Sequence, residues 1–325
     1  MGFAWRVCLL SGSCLLGDMK ITILLLAFCL FGFLFFLGLN YRQLYSAWAI
    51  RSEKNRLVTL AENAPAGFQN PTPMRDCFEG TFCLHFWKFS IINGNGKVSR
   101  ESAWHSAVMT FGDGLTISHF FDPEFETESA NPMHTPAAGR YNNISLISRH
   151  SFQPTPSNDV VLKFSTRVSD NFYGTAGVIF QPVGTLREDG LFVKPFDMFG
   201  FSVAGKESSI MGINGPLCYL ALNWMPVTVN SLDLDAQRAH AYEIRLRWMS
   251  KTEWLGAIKV DNTLMCEMPI PAFGPVEIHV WSDNFHVVST PRRWWEIAPA
   301  MDLKFLNGRD KQFHLETIQI FAEAR

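Results

Sequence analysis

The chain has 325 residues, with 28 Lys+Arg against 30 Asp+Glu and a formal net charge of −2. That balance excludes a strongly basic nucleic-acid binder and an acidic disordered tail as the organising theme. Hydrophobic residues at 47% and charged residues at 18% are too apolar a mixture for a disordered chain, and seven cysteines are too few for a disulfide-built miniprotein.

Residues 21–39, ITILLLAFCLFGFLFFLGL, contain no charge. At 1.5 Å per residue they span about 28 Å, close to the hydrocarbon thickness of a bilayer. They predict a single-pass transmembrane helix and hence a membrane partner. Two forms of it compete. One is a retained signal-anchor. The other is a signal peptide cleaved near Ala47-Trp48-Ala49, a small-x-small site that lies some distance beyond a long apolar run. Residues 1–20 form an N-terminal tail, and Met19-Lys20 offers an alternative start. Arg42, Arg51, Lys54 and Arg56 follow the span, which by charge alone puts the C-terminal side inside. A short N-terminal tail and a long translocated domain point the other way, and the expectation is an extracytoplasmic C-terminal domain. Residues 40–75 predict a stalk, helical at first and then broken by Pro65-Ala66-Gly67 and Pro71-Thr72-Pro73.

From residue 76 to residue 325 the pattern has period two. Val160, Leu162, Phe164, Thr166 and Val168 alternate with more polar neighbours, as do Tyr242, Ile244, Leu246 and Trp248, and Val276, Ile278 and Val280. Gly112-Asp113-Gly114 and Asp261-Asn262 mark tight hairpins. Further strands are expected at Phe82–Ile91, Ile144–Ser148, Ala176–Gln181, Met198–Ala204, Leu217–Asn223 and His314–Phe321. About a dozen strands in such a length imply two packed sheets. The expected core is Leu115, Ile117, Leu162, Phe164, Ile244, Leu246, Trp248, Ile258, Val260, Ile278 and Val280.

Four segments in this order carry a resemblance: GDGLTIS at 112–118, NDVVLKFSTRVSDNFYGTAGVIF at 158–180, YEIRLRWMSKTEWLGAIKVDNTLM at 242–265 and FHLETIQIFA at 313–322. Together they resemble the concanavalin A-like lectin/glucanase superfamily, in particular the jelly roll of glycoside hydrolase family 16 and its non-catalytic relatives. The resemblance implies an all-β, two-sheet jelly-roll sandwich, here preceded by the transmembrane helix. It also implies polysaccharide or a cell-surface glycan as partner. The hydrolases carry E-x-D-x-E or E-x-D-x-x-E on one concave strand, where two carboxylates sit about 5–5.5 Å apart for retention. The matching strand here is DMFGFSV at 197–203. Asp197 takes the first carboxylate position, Phe199 replaces the aspartate, and Phe201 or Ser202 replaces the second glutamate. The resemblance therefore implies binding rather than cleavage. The alternatives are a divergent glycoside hydrolase or polysaccharide lyase that recruits other acids, and a structural envelope protein that binds another protein.

The remaining motifs divide between chemistry and plain structure. His279, Trp281 and Asp283 share one strand face and form a ligand-binding candidate, because an indole stacks on sugar rings while charged groups bond hydroxyls. The competing expectation is that Trp281 packs under a loop and His279 is a satisfied surface residue. Arg293 and Trp294, within Arg292-Arg293-Trp294-Trp295, are candidates for an acidic sugar or headgroup, or else a loop that closes one end of the sandwich. Glu124, Glu126 and Glu128 lie between prolines and read as a solvated loop. No H-E-x-x-H, C-x-x-C or G-x-S-x-G occurs, so no metal and no other cofactor is expected. Cys77, Cys83, Cys218 and Cys266 allow three full pairings, with Cys77–Cys83 the local candidate and buried free thiols the alternative. Asn143-Ile144-Ser145 fits a glycosylation sequon.

Overall fold

A computed structural model of the chain describes residues 26, 28–32, 68–81, 83–93, 107–119, 142–170, 172–185, 197–206, 208–222, 225–283 and 311–325. The chain divides into two units, Met1–Trp48 and Ala49–Arg325. In the first, residues 26 and 28–32 are helical, and Leu26, Phe28, Leu30 and Phe31 are exposed. Among the described residues no helix is long and apolar enough to cross a membrane. The rest of the 21–39 span and the stalk up to residue 67 lie outside the described residues.

The second unit is built from strands. In chain order they are β1 Met74–Asp76, β2 Trp87–Asn93, β3 Ala107–Gly112, β4 Gly114–His119, β5 Asn142–Ser148, β6 Asn158–Val168, β7 Thr175–Pro182 and β8 Met198–Ala204. They continue with β9 Gly215–Leu222, β10 Met225–Ser231, β11 His240–Trp248, β12 Glu253–Val260, β13 Thr263–Pro271, β14 Val276–Asp283 and β15 Lys311–Ala324. All pair antiparallel, in two sheets. One has eight strands, ordered β13-β12-β11-β6-β15-β4-β3 with β1 added beside β15. The other has seven, ordered β10-β9-β8-β7-β14-β5-β2.

Local chemistry explains most of these elements. Asp261 and Asn262 both have positive φ, 49° and 68°, which a two-residue turn between twisted strands needs and which Asp and Asn tolerate. β8 has the bounds that the sequence predicts. β2 starts later than predicted, because the backbone N–H groups of Phe86 and Trp87 both donate to the Cys83 carbonyl in a turn. Asp76 holds that turn by accepting from Phe78 N at 2.8 Å, Cys83 N at 3.0 Å and Trp87 Nε1 at 3.0 Å.

The two sheets bury a common core. Phe164 and Tyr242 of the eight-stranded sheet stack with ring centroids 5.1 Å apart, and Phe201 of the other sheet meets Tyr242 at 4.3 Å. At Gly256 a Cβ would stand 2.6 Å from the Phe199 ring, so only glycine admits that ring between the layers. Every expected core residue is buried except Trp248, which is half-buried. Its cross-strand partner Trp254 takes the interior place and packs edge-on against Phe273. Each such large side chain contributes roughly 1.5–3 kcal/mol.

Candidate functional site

Strand alternation assigns the seven-stranded sheet's two faces. On β14, Ile278 and Val280 point into the sandwich, and Glu277, His279, Trp281 and Asp283 point away from it. Across the ladders these four face Gln181, Ile179, Gly177 and Thr175 of β7, and His279 and Trp281 face Ile147 and Ser145 of β5. The structure thus brings three of the predicted site residues together, and it buries them. His279 is 3%, Trp281 8% and Asp283 6% exposed.

Their bonds are local to this face. Trp281 Nε1 donates to Thr175 Oγ1 at 3.1 Å, and Thr175 Oγ1 donates to Asp283 Oδ2 at 3.0 Å. The Thr175 backbone N–H donates to Asp283 Oδ1 at 2.9 Å. The Trp281 ring lies over Gly177, where a Cβ would come within 2.3 Å of it. His279 Nε2 pairs with Ser145 Oγ at 2.9 Å, and among the described residues its Nδ1 has no partner. Burial pushes the imidazole down to about 3, so it is neutral at physiological pH.

The chain itself covers part of this face. Ile210 and Met211, from the segment between β8 and β9, share one buried cluster with Ile179, Tyr219 and Trp281, and Ile213 packs against it. Asn214 fastens that segment by donating to the carbonyls of Gly205 at 2.7 Å and Ser208 at 2.8 Å. Ser145 of the sequon is buried here, and Asn143 lies in a strand paired on both sides rather than in a surface loop.

The register of β8 corrects one expectation. Phe199 and Phe201 point into the core, so the positions on the outer face are Met198, Gly200, Ser202 and Ala204; of the two alternatives for the last position of the series, Ser202 is the outward one, and Phe199 is out of step. Large aromatic side chains take the dry side, and that choice sets the register of the strand. Asp197 just precedes the strand and is fully buried. Glu277 and Asp283 share the outer face but stand six residues apart on one strand, about 20 Å at the usual rise.

An open cleft of about 800 Å³ lies instead on the eight-stranded sheet. Its floor is the β3–β4 hairpin seated on β15. Gly114 has φ 121°, and a Cβ there would come 2.6 Å from the Leu315 carbonyl oxygen and 2.7 Å from the Glu316 Cα. Only glycine permits that approach. In β15 the register slips between Leu315 and Thr317, so Glu316 is the extra residue of a bulge. Bulges of this kind re-aim side chains. Glu316 Oε2 accepts from Ser165 Oγ at 2.7 Å, and both Glu316 and His314 line the cleft. His314 Nδ1 pairs with Thr116 Oγ1 at 2.8 Å. Burial first, then the nearby Arg167 charge, lowers the His314 pKa below the ordinary histidine value. Arg167, Asp113, Asp170, Gln237 and Gln312 supply charged and amide groups, and Phe111 supplies an aromatic edge.

Sequence reasoning missed this cleft. Gly112-Asp113-Gly114 was legible as a turn, and His314 and Glu316 as polar members of the last strand, but no local signal joins them. Arg293, Trp294 and Glu124, Glu126 and Glu128 lie outside the described residues. Cys77 and Cys83 are unbridged, and the Cys77 sulfur is 4.0 Å from Thr317 Oγ1.

No protein-family model and no curated protein matches the chain. Solved structures do. An endo-acting O-glycanase of human gut microbiota that initiates mucin breakdown is similar at 12% identity and TM-score 0.48, over 76% of this chain and 97% of that one. A laminarinase from Flavobacterium sp. UMI-01 is similar at 12% identity and TM-score 0.46, over 76% and 98%. The carbohydrate recognition domain of Emp47p is similar at 12% identity and TM-score 0.45, over 78% and 95%. The likeness is one of strand arrangement, and what the chain itself shows is two antiparallel sheets.

Proposed function

We propose that this chain is a carbohydrate-recognising β-sandwich, tethered to a membrane through residues 21–39 and displayed on the extracytoplasmic side. The cleft of the eight-stranded sheet is the observation that carries the reading. Its volume is within the usual range for a ligand site. Its lining is polar, with a guanidinium, carboxylates and two amides beside one aromatic ring. Such groups suit a polyhydroxylated ligand, whose hydroxyls donate and accept in the same small space. Binding through His279, Trp281 and Asp283 is the less favoured placement, since it requires the covering segment to leave.

The test is calorimetry of the full chain in detergent against neutral and acidic oligosaccharides, guided by a glycan array. Replacing Arg167 with Ala removes a charge-assisted bond and is expected to weaken binding roughly tenfold or more. Trp281→Phe keeps the buried cluster filled and is expected to leave affinity unchanged. If no glycan of any class binds, the reading falls. If Trp281→Phe alone weakens binding, the site is the other face.

A second reading, hydrolysis or elimination of polysaccharide, is favoured by one feature: Asp113, Asp170 and Glu316 line the same cleft. Release of reducing ends or unsaturated products that is abolished in Glu316→Gln would establish it.

A further inference from the structure

Two cysteines outside the candidate site meet between the layers. Cys218 is on the inner face of β9 in the seven-stranded sheet, and Cys266 is on β13 in the eight-stranded sheet. Their sulfur atoms are 2.6 Å apart, about half an ångström beyond the roughly 2.05 Å of a covalent S–S bond. Nothing fits between them. Cys218 is fully buried and Cys266 is 6% exposed. Hydrogen-bonded ladders hold each sheet internally, so between the layers the contact is side chain against side chain.

We propose that Cys218 and Cys266 form a disulfide that stitches the two sheets together at this edge, made by exchange with a small-molecule or protein disulfide. Four domain cysteines offer six possible pairs, and the geometry selects this one. Among the described residues β13 is the edge strand of its sheet, bonded on one side only, and Leu264 and Met265 beside Cys266 are exposed. Local opening of that edge gives a donor disulfide access to Cys266.

The two thiols are not equivalent. The bond from Cys218 and the Asn230 amide 3.6 Å away lower the Cys266 pKa against the effect of burial, whereas the same neighbour and burial raise that of Cys218. Cys266, on the edge strand where opening gives access, is the attacking thiolate. It attacks one sulfur of the donor disulfide and releases one thiol. Cys218 then loses its proton, attacks the Cys266 sulfur of the mixed disulfide and expels the second thiol. One S–S bond forms and one breaks. The two cysteines lose two electrons and two protons, and the donor is reduced to two thiols.

The proposal is independent of the ligand reading. It is tested on the full chain, equilibrated with excess oxidised glutathione, denatured in an alkylating agent and mapped by mass spectrometry. A linked Cys218–Cys266 peptide is expected, which reduction separates into two peptides. Full alkylation of both residues, or a Cys77–Cys83 link in its place, overturns the proposal. A second measurement avoids reliance on any one variant. Reductant is expected to lower the melting midpoint of the oxidised chain by roughly 5–10 °C. The same reductant should leave the Cys218→Ala/Cys266→Ala chain unmoved. Equal midpoints with and without reductant in the unsubstituted chain also overturn the proposal.

Discussion

The outer faces of the two sheets are built on different principles. On the eight-stranded sheet, β11 and the second half of β6 alternate between buried and more exposed positions, and most outward side chains there are charged. Asp159 accepts from Arg325 at 2.7 Å and from Arg245 and Arg247 at 3.2 Å, and Glu243 meets Arg245, Lys163 and Lys259. Burial pushes the Asp159 carboxyl up, but those three guanidinium partners more than offset it and hold it below the usual range. On the seven-stranded sheet, β7, β8 and β14 are buried along their whole length. Its outward residues are Gly177, Gly200, Ser202, Ile179 and Trp281, small or apolar, with a few neutral or buried polar groups between them. One sheet therefore meets water and the other is covered in part by the chain's own segment between β8 and β9. A ligand is most readily accommodated on the first.

The largest expected effect tests that difference directly. Trp281→Ala removes an indole from the cluster of Ile179, Ile210, Met211 and Tyr219. If this outer face is a second core, unfolding free energy falls by about 3–5 kcal/mol, the cost of a core Trp truncation. Chemical denaturation with an unchanged m-value measures it. A loss below about 0.5 kcal/mol, the size of an ordinary surface change, would mean that the face is not packed as described.

A pH dependence of intermediate size comes from His279. Its folded pKa is about 3, against about 6.5 in the unfolded chain, so only the unfolded state takes up this proton between those values. Stability from this residue is complete above about 6.5. It is lost as pH falls, by up to about 1.4 kcal/mol per pH unit, until the folded form also protonates near 3. Glu277, whose carboxyl is raised by burial against the pull of Gln181 and Lys88, acts in the opposite sense: its contribution is lost as pH rises. Stability curves of the unsubstituted chain and His279→Gln, measured from pH 7 to pH 4, isolate the histidine. They are expected to converge as pH falls. Parallel curves would mean that His279 is solvated.

These effects also show what the sequence could convey. β8 and the Asp261-Asn262 hairpin were legible to the residue, because period two and turn chemistry are local. Alternation also put His279, Trp281 and Asp283 on one face of β14, but it could not say what covers that face: Ile210 and Met211, which share a buried cluster with Trp281, lie about seventy residues earlier and are invisible to any period. The residues of the open cleft were visible one by one. Their convergence depends on the β15 bulge and on the hairpin's approach at Gly114, and both are properties of register. Four cysteines likewise permit three pairings until β9 and β13 are known to overlie one another.

The smallest effect belongs to the charged face and completes the comparison. Lys163 Nζ lies 3.4 Å from Glu243 Oε2 and 5.6 Å from the Phe321 ring centroid, with its side chain half exposed. An exposed ion pair contributes about 0.2–1 kcal/mol, and an exposed cation–π contact about as much. Glu243 keeps Arg245 and Lys259 after Lys163 is removed, so no charge is stranded. Lys163→Ala is therefore expected to cost less than about 1 kcal/mol, and the cost should shrink further in high salt as screening grows. It points outward from its sheet as Trp281 does from the other, so equal losses for the two would erase the distinction between the faces. A several-fold difference, read from the same denaturation experiment, would leave the eight-stranded sheet as the side whose residues are free to meet a ligand.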